Sequence, residues 1–170
     1  TASHNPARYN GIKLCLAGAR PVGEDTGLAD IRRLAADGVD RPPVPPGHLE
    51  TAALLGAFAD HVRSFVDTTA LAPLKVVADT ANGMGGLVVP HVFAPLPFEL
   101  EVLYGELDGT FPNHPADPIQ PENLRDLQAR VRATGADVGL AFDGDADRVF
   151  VVDDQGEPLS GSTTTAIVAK

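Results

Sequence analysis

Residues 138–152 read VGLAFDGDADRVFVV, with an apolar run on each side of a cluster of aspartates. This pattern is the most informative part of the sequence for the fold. The apolar residues ahead of Asp143 predict a buried strand over residues 137–142, and residues 149–152 predict a second strand. Between these strands, Asp143, Asp145 and Asp147 stand at alternate positions in a short loop, here called the acidic loop (residues 143–148). Ligands of α/β sheets bind at the carboxyl ends of the strands. The acidic loop is therefore predicted to be a binding site.

The composition of the acidic loop indicates which ligand it binds. Three crowded carboxylates repel one another and are costly to desolvate unless a cation lies among them. Oxygen ligands from Asp side chains suit a hard divalent ion such as Mg²⁺. Arg148 follows directly and adds a fixed positive charge, which favours an anionic guest such as a phosphate. The residues thus predict a metal-assisted site for moving phosphate.

Two other kinds of acidic loop begin with the same spacing. A calcium EF-hand needs Gly at its sixth position and Glu at its twelfth, whereas this chain has Arg148 and Asp154 there, followed by a predicted strand. That alternative is excluded. A haloacid-dehalogenase-type phosphatase, in which the first Asp carries the phosphate, matches Asp143 and Asp145 but has Thr or Val where this chain has Asp147. That alternative stays open.

Composition narrows the class of protein further. The 170 residues are 44% hydrophobic and 21% charged, which fits a packed globular chain. A net charge of −10 argues against nucleic acid or an anionic membrane as partner. It leaves a phosphorylated substrate open, because distant surface charges are screened within about 8 Å. The single Cys15 and the lack of a signal peptide or a membrane-length apolar run predict a cytoplasmic protein.

The rest of the chain alternates between predicted strands and helices around this loop. We therefore predict an α/β fold with mixed sheets flanked by helices, in two consecutive α/β units. A loop is predicted over residues 105–121, which are crowded with Asp, Asn, His and Pro. The further predicted strands are residues 11–17, 74–78 and 98–103, and the predicted helices are residues 28–36, 50–66, 87–93 and 122–133.

A second motif lies at the start of the chain. Residues 1–13 read TASHNPARYNGIK, without the G-x-S-x-G elbow of serine hydrolases. The surroundings of Ser3 suit an anion, because His4, Asn5, Arg8 and Lys13 supply donors or positive charge and Gly11 permits close backbone approach.

The combination of TASHNPARYNGIK with GLAFDGDADR resembles the α-D-phosphohexomutase superfamily, which contains the phosphomannomutases and phosphoglucomutases. Two further stretches agree with it: KVVADTANGMGG at residues 75–86 resembles the strand and turn of the second domain, and FPNHPADP at residues 111–118 resembles the loop before the metal strand. The matching motifs extend over nearly the whole chain and occur in the family's order.

The resemblance implies a role for each motif residue. Ser3 is implied as the phosphorylated serine, and Asp143, Asp145 and Asp147 are implied to bind Mg²⁺ together with its phosphate. Arg148 and Lys13 match catalytic positions, with Lys13 implied as a general acid–base. His4 is implied as a phosphate contact, and we place Asn5 and Arg8 in the same group. We assign structural roles to His114 in the loop and to Asn82 in the turn.

The resemblance also implies an activity. Phosphate moves between the 6- and 1-positions of mannose or glucose through a hexose 1,6-bisphosphate, which also acts as activator. We expect the chain to be part of a longer enzyme and inactive alone, with residues 1–72 from the first domain, 73–157 forming the second, and 158–170 leading to a third. A non-catalytic module that binds metal or a phosphorylated sugar is the other alternative, and the oligomeric state is left open.

Overall fold

The computed structural model describes residues 3–39 and 44–169, which form two compact units. One unit contains residues 11–39 and 44–52, and the other contains residues 3–10 and 53–169. The serine motif is thus divided: its first part, with Ser3, belongs to the larger unit, and Lys13 belongs to the smaller one.

The smaller unit contains a minimal hairpin and one helix. Strand β1 (Cys15–Leu16) pairs antiparallel with β2 (Arg20–Pro21), and helix α1 (Leu28–Asp37) begins after Gly27 and ends at Gly38. The predicted helix is confirmed. The strand predicted over residues 11–17 is limited to residues 15–16: residues 11–14 lie outside the pairing with β2, and a 3-10 turn begins at Ala17.

The larger unit is built on a four-stranded mixed sheet in the order β4-β3-β5-β6. Strand β3 is parallel to both β4 and β5, whereas β5 and β6 are antiparallel neighbours joined by the acidic loop. The bounds are α2 (Leu55–Arg63), β3 (Leu74–Asp79), α3 (Gly85–Phe93), β4 (Phe98–Leu103), α4 (Arg125–Thr134), β5 (Val138–Phe142), β6 (Val149–Val152) and α5 (Gly161–Val168). The α/β class with a mixed sheet is confirmed.

The core of this unit lies between the sheet and helix α4. Leu127 and Val131 of α4 are fully buried against Val77 of β3 and Val152 of β6. Burying such a side chain stabilises the fold by about 1.5–3 kcal/mol. This packing fixes β3 and β5 side by side, so their carboxyl ends, and the turns that follow them, lie at the same edge of the sheet.

Three predicted helices differ at their first turns. The helix predicted over residues 50–66 is limited to α2, because residues 50–54 are largely exposed and have no core to cover. The helix predicted over residues 122–133 starts with a short 3-10 turn (Pro121–Leu124) before α4. Helix α3 starts two residues earlier than predicted and continues through Pro90, with Val89 and Val92 buried. Strands β3, β4 and β6 are confirmed.

Within the described residues, every helix is too short or too polar to cross a membrane.

Candidate active site

The acidic loop turns sharply between β5 and β6. Asp143 lies at the end of β5 and is almost fully buried, whereas Asp145 is half-buried and Asp147 is exposed. The three side chains each offer a carboxylate oxygen, and these oxygens lie within 4.8 Å of one another. The turn is closed by a hydrogen bond from the Ala146 N–H to the Asp143 carbonyl at 3.1 Å. The alternate spacing in the sequence therefore becomes one convergent cluster.

Arg148 links this cluster to Ser3, which lies 145 positions away in the sequence. Its Nη2 contacts Asp143 Oδ2 at 2.7 Å and donates to Ser3 Oγ at 2.9 Å, while its Nε donates to Asp147 Oδ1 at 3.3 Å. Burial by itself would lower the pKa of Arg148, but the charge of Asp143 and its hydrogen bonding outweigh burial and raise that pKa. The guanidinium thus remains a fixed cation between two carboxylates and the serine hydroxyl.

The main chain of Ser3 is held against the acidic loop at Gly144. The Gly144 N–H donates to the Ser3 carbonyl at 3.0 Å, and the Gly144 carbonyl accepts from the Met84 N–H at 2.9 Å. A Cβ at position 144 would lie 2.3 Å from the Ser3 carbonyl oxygen, a distance that no side chain tolerates. Only glycine permits this close approach, which brings together the serine segment, the acidic loop and the turn after β3.

The other predicted site residues take different positions. His4 Nδ1 contacts Arg148 Nη2 and lies 3.4 Å from Ser3 Oγ, and it accepts from the arginine because a guanidinium has only donors. Asn5 lines the cleft described below. Arg8 lies over the Tyr9 ring, 5.0 Å from its centroid, and donates to the Tyr9 hydroxyl. Lys13 is exposed in the smaller unit, ahead of β1.

The donor set of the acidic loop fits a divalent cation. All three ligands are carboxylates, and their spread of up to 4.8 Å is close to the roughly 4 Å between opposite oxygens around an octahedral Mg²⁺. Asp143 Oδ2 is buried, and its partner among the described residues is the Arg148 guanidinium at 2.7 Å. Three carboxylates and one guanidinium leave two negative charges, which a divalent ion would balance.

A cleft of about 520 Å³ lies beside the serine segment in the same unit. Residues 4–7 line one side, and side chains between Thr110 and Asn123 line the other, so the 105–121 loop forms a wall of the cleft. Its lining combines the Phe111 ring with the carboxylates of Asp117 and Glu122. The cleft therefore offers both an apolar surface and hydrogen-bond acceptors next to His4.

A polar cluster at the end of β3 was not identified as functional from the sequence. Asp79 is 1% exposed and accepts from His114 at 3.0 Å. Asn82, also buried, bonds to several points of the 105–121 loop. A usable signal was present: polar residues follow two adjacent parallel strands, β3 and β5, whose carboxyl ends meet at one edge.

Comparison with known proteins shows which protein family shares this sequence and fold. The phosphoglucomutase/phosphomannomutase family matches in two places: its alpha/beta/alpha domain I over residues 1–39 and its alpha/beta/alpha domain II over residues 56–156. The chain belongs to this family.

Individual relatives agree with the family assignment. A phosphomannomutase of Salmonella montevideo is 41% identical over 178 aligned residues, which cover 100% of this chain and 39% of that protein. A protein named "Phosphohexose mutases" from Xanthomonas campestris pv. campestris is also 41% identical to this chain, and the alignment covers 38% of its length. A crystal structure of a phosphoglucomutase/phosphomannomutase family protein from Burkholderia thailandensis superposes with a TM-score of 0.82 at 35% identity, covering 99% of this chain and 36% of that one. The chain thus spans well under half the length of these relatives.

Proposed function

We propose that this chain carries the phosphoryl-transfer centre of a phosphohexomutase that interconverts the 6- and 1-phosphates of mannose or glucose. The observation that carries the proposal is the contact of Arg148 Nη2 with both Ser3 Oγ and Asp143 Oδ2. It joins the serine of the first motif to the acidic loop of the second. Membership of the phosphoglucomutase/phosphomannomutase family and the names of its relatives support the same activity.

In the proposed reaction, phosphorylated Ser3 is the phosphoryl donor. The bond from phosphorus to Ser3 Oγ breaks as a bond forms to a sugar hydroxyl oxygen, and the proton of that hydroxyl passes to a base. The product is a hexose 1,6-bisphosphate, and Ser3 takes back the other phosphate when this intermediate reacts in its second orientation. We assign the proton transfers to Lys13, the general acid–base that the resemblance implies.

The chain's own residues provide the electrostatics of the transfer. Arg148 lies within hydrogen-bond distance of Ser3 Oγ, so its charge faces the position that a phosphoryl group on that oxygen would occupy. Asp143, Asp145 and Asp147 would hold Mg²⁺ together with the phosphate on Ser3. When bound, the ion neutralises charge on the transferring phosphoryl group. His4, Asn5 and Arg8 are proposed as phosphate contacts.

Further parts of the proposal concern the longer protein. Hexose 1,6-bisphosphate is the proposed activator, and the cytoplasm is the proposed compartment. The domain limits at residues 72 and 157 stay a prediction.

The test is a pair of serine substitutions in the full-length protein that contains this chain. Ser3→Ala removes the phosphate acceptor, so we expect conversion of mannose 1-phosphate and glucose 1-phosphate to fall by at least about 10³-fold. Ser162→Ala is the matched control, because Ser162 is exposed on α5 outside the site. Near-normal activity of the Ser3 variant would contradict the phosphoserine role.

A further inference from the structure

His114 and Asp79 form a largely buried pair at the carboxyl end of β3. The Asp79 side chain is 1% exposed and the His114 side chain 13% exposed. Asp79 Oδ2 accepts from His114 Nε2 at 3.0 Å, and Asp79 Oδ1 accepts from the Ala81 N–H at 3.0 Å. The other ring nitrogen, His114 Nδ1, lies 2.9 Å from the Pro115 carbonyl oxygen.

The partners of His114 determine its protonation. A carbonyl oxygen has no proton to donate, and a carboxylate hydrogen-bonded to a main-chain N–H is an acceptor as well. With Asp79 ionised, both contacts are satisfied when each ring nitrogen carries a proton, which is the imidazolium form. Burial by itself would lower the pKa of His114, but the hydrogen bond to Asp79 and the charge of Asp79 outweigh it and raise that pKa. Geometry and electrostatics thus agree on a buried ion pair.

The titratable groups facing His114 come from three parts of the chain. Asp79 ends β3, Tyr104 follows β4 with its ring edge-on to the imidazole at 5.4 Å between centroids, and Asp126 lies on α4. The hydrogen bond from the Tyr104 hydroxyl to Asp126 at 2.7 Å, together with burial, raises the pKa of Tyr104 to about 12. Tyr104 is therefore a neutral donor at physiological pH, and the two negative charges near His114 favour its protonated form.

Asn82 reinforces the same connection. Its N–H donates to the Tyr104 carbonyl at 2.9 Å and its Nδ2 to the Glu106 carbonyl at 2.9 Å. Its carbonyl accepts from the Asp108 N–H at 3.0 Å, and its Oδ1 accepts from Asn113 Nδ2 at 2.8 Å. The polar groups of the buried Asn82 thus bond to four different residues between Tyr104 and Asn113. Asn82 has a φ of 60°, which asparagine tolerates better than most residues.

The turn that carries Asp79 and Asn82 also supports the acidic loop. The Met84 N–H donates to the Gly144 carbonyl, and the Gly144 N–H donates to the Ser3 carbonyl. One short turn is thus bonded directly to the loop that forms the cleft wall and, through Gly144, to the main chain of Ser3.

We propose that His114 is a positioning residue. Its ion pair with Asp79, here called the clasp, fixes residues 104–115, which include part of the cleft wall. The clasp thereby keeps this wall at the distance from Ser3 that a sugar phosphate requires. This inference rests on the proposed function. The clasp touches neither Ser3 Oγ nor the carboxylates of the acidic loop, so its loss alters the position of the substrate and leaves metal binding and serine phosphorylation intact.

The sign of the pH dependence follows from the direction of the shift. A histidine whose folded pKa is raised contributes its stabilisation in full below its ordinary value of 6.5 and loses it as the pH rises through the folded value. The clasp is thus formed at pH 6.5 while Asp79 is ionised, and it opens as the pH rises through the raised pKa of His114. We expect KM for the sugar phosphate to rise with pH over that range.

The experiment combines kinetics and NMR on the full-length protein with ¹⁵N-labelled histidine. His114→Gln keeps a donor to Asp79 but loses the charge and the bond to Pro115. His91→Gln is the control, because the His91 side chain is exposed on α3 and its ring bonds to the Leu87 carbonyl of the same helix. We expect His114→Gln to raise KM about tenfold and to remove its pH dependence, with Mg²⁺ affinity, Ser3 phosphorylation and the control unchanged.

The NMR spectrum tests the ion pair independently of activity. We expect both nitrogens of His114 to stay protonated as the pH rises past 6.5, the ordinary value for a histidine, with the resonances assigned by their loss in His114→Gln. A neutral ring with one protonated nitrogen, or unchanged KM and pH profile in His114→Gln, would overturn the clasp. If the unsubstituted protein turned over no hexose phosphate, the proposed function and the positioning role would both fail, and the NMR result would still decide whether the ion pair exists.

Discussion

Ala146 stands at the tip of the acidic loop in a left-handed conformation, with φ at 59°. This region costs a residue with a Cβ roughly 1–2 kcal/mol compared with glycine. The chain accepts that strain between Asp145 and Asp147, because the reversed backbone at position 146 lets the carboxylates on either side converge.

Replacing Ala146 with glycine should relieve this strain. We expect Ala146→Gly to raise the free energy of unfolding by about 1 kcal/mol, measured by urea denaturation. Ala129→Gly is the matched control: Ala129 is exposed inside α4, where glycine should lower stability by about 1 kcal/mol. Equal loss of stability in both variants would show that position 146 carries no strain.

The carboxylates of the acidic loop are the residues that the metal proposal depends on. Asp143→Asn keeps the shape of the side chain and the acceptor for the Arg148 N–H but removes the charge. We expect Mg²⁺ to bind more than about tenfold more weakly, measured by isothermal titration calorimetry. Asp154→Asn is the control, because Asp154 lies in an exposed turn outside the cluster. Unchanged Mg²⁺ affinity in the Asp143 variant would count against the site.

At the scale of elements, the packing of α3 depends on a glycine. A Cβ at Gly86, in the first turn of α3, would lie 2.2 Å from the Gly105 carbonyl oxygen, just after β4. The helix and this backbone are therefore in direct contact, and α3 comes closer to the sheet edge than any side chain would allow.

Two glycine-to-alanine changes should have opposite effects. Gly86→Ala forces the backbone at Gly105 to move, so we expect stability to fall by about 1–3 kcal/mol. Gly56→Ala meets nothing within 4 Å in α2 and should gain about 0.5–1 kcal/mol from helix propensity. Thermal unfolding of the two variants measures both changes in stability. A stabilising effect of Gly86→Ala would contradict the close packing of α3 against the Gly105 backbone.

Most elements of the larger unit were predictable from local sequence. Strands β3, β4 and β6 are short runs rich in apolar residues bounded by turn residues, and the stop of α4 at Gly135 follows from its place after the last apolar position. The absence of a helix over residues 50–54, ahead of α2, could not be predicted. Apolar spacing shows which side chains could share one face of a helix, but not whether a core exists for that face to cover.

At the scale of the whole molecule, long-range hydrogen bonds assemble the candidate site. Ser3 and Arg148 were predicted as site residues from a resemblance, and their contact spans 145 positions. The Asp79–His114 pair spans 35 positions and was missed. No local pattern specifies such pairs, because they depend on which loops meet at the sheet edge. The topology rule for parallel strands predicts that edge, but not the partners across it.

The proposed reaction depends on phosphorylation of Ser3. The most direct test is to map phosphate by tandem mass spectrometry in the full-length protein after incubation with a hexose 1,6-bisphosphate and Mg²⁺, under conditions that would also preserve an aspartyl phosphate. We predict phosphate on Ser3 and its absence in Ser3→Ala. Phosphate on Asp143, or on no residue at all, would contradict the proposed phosphoserine mechanism.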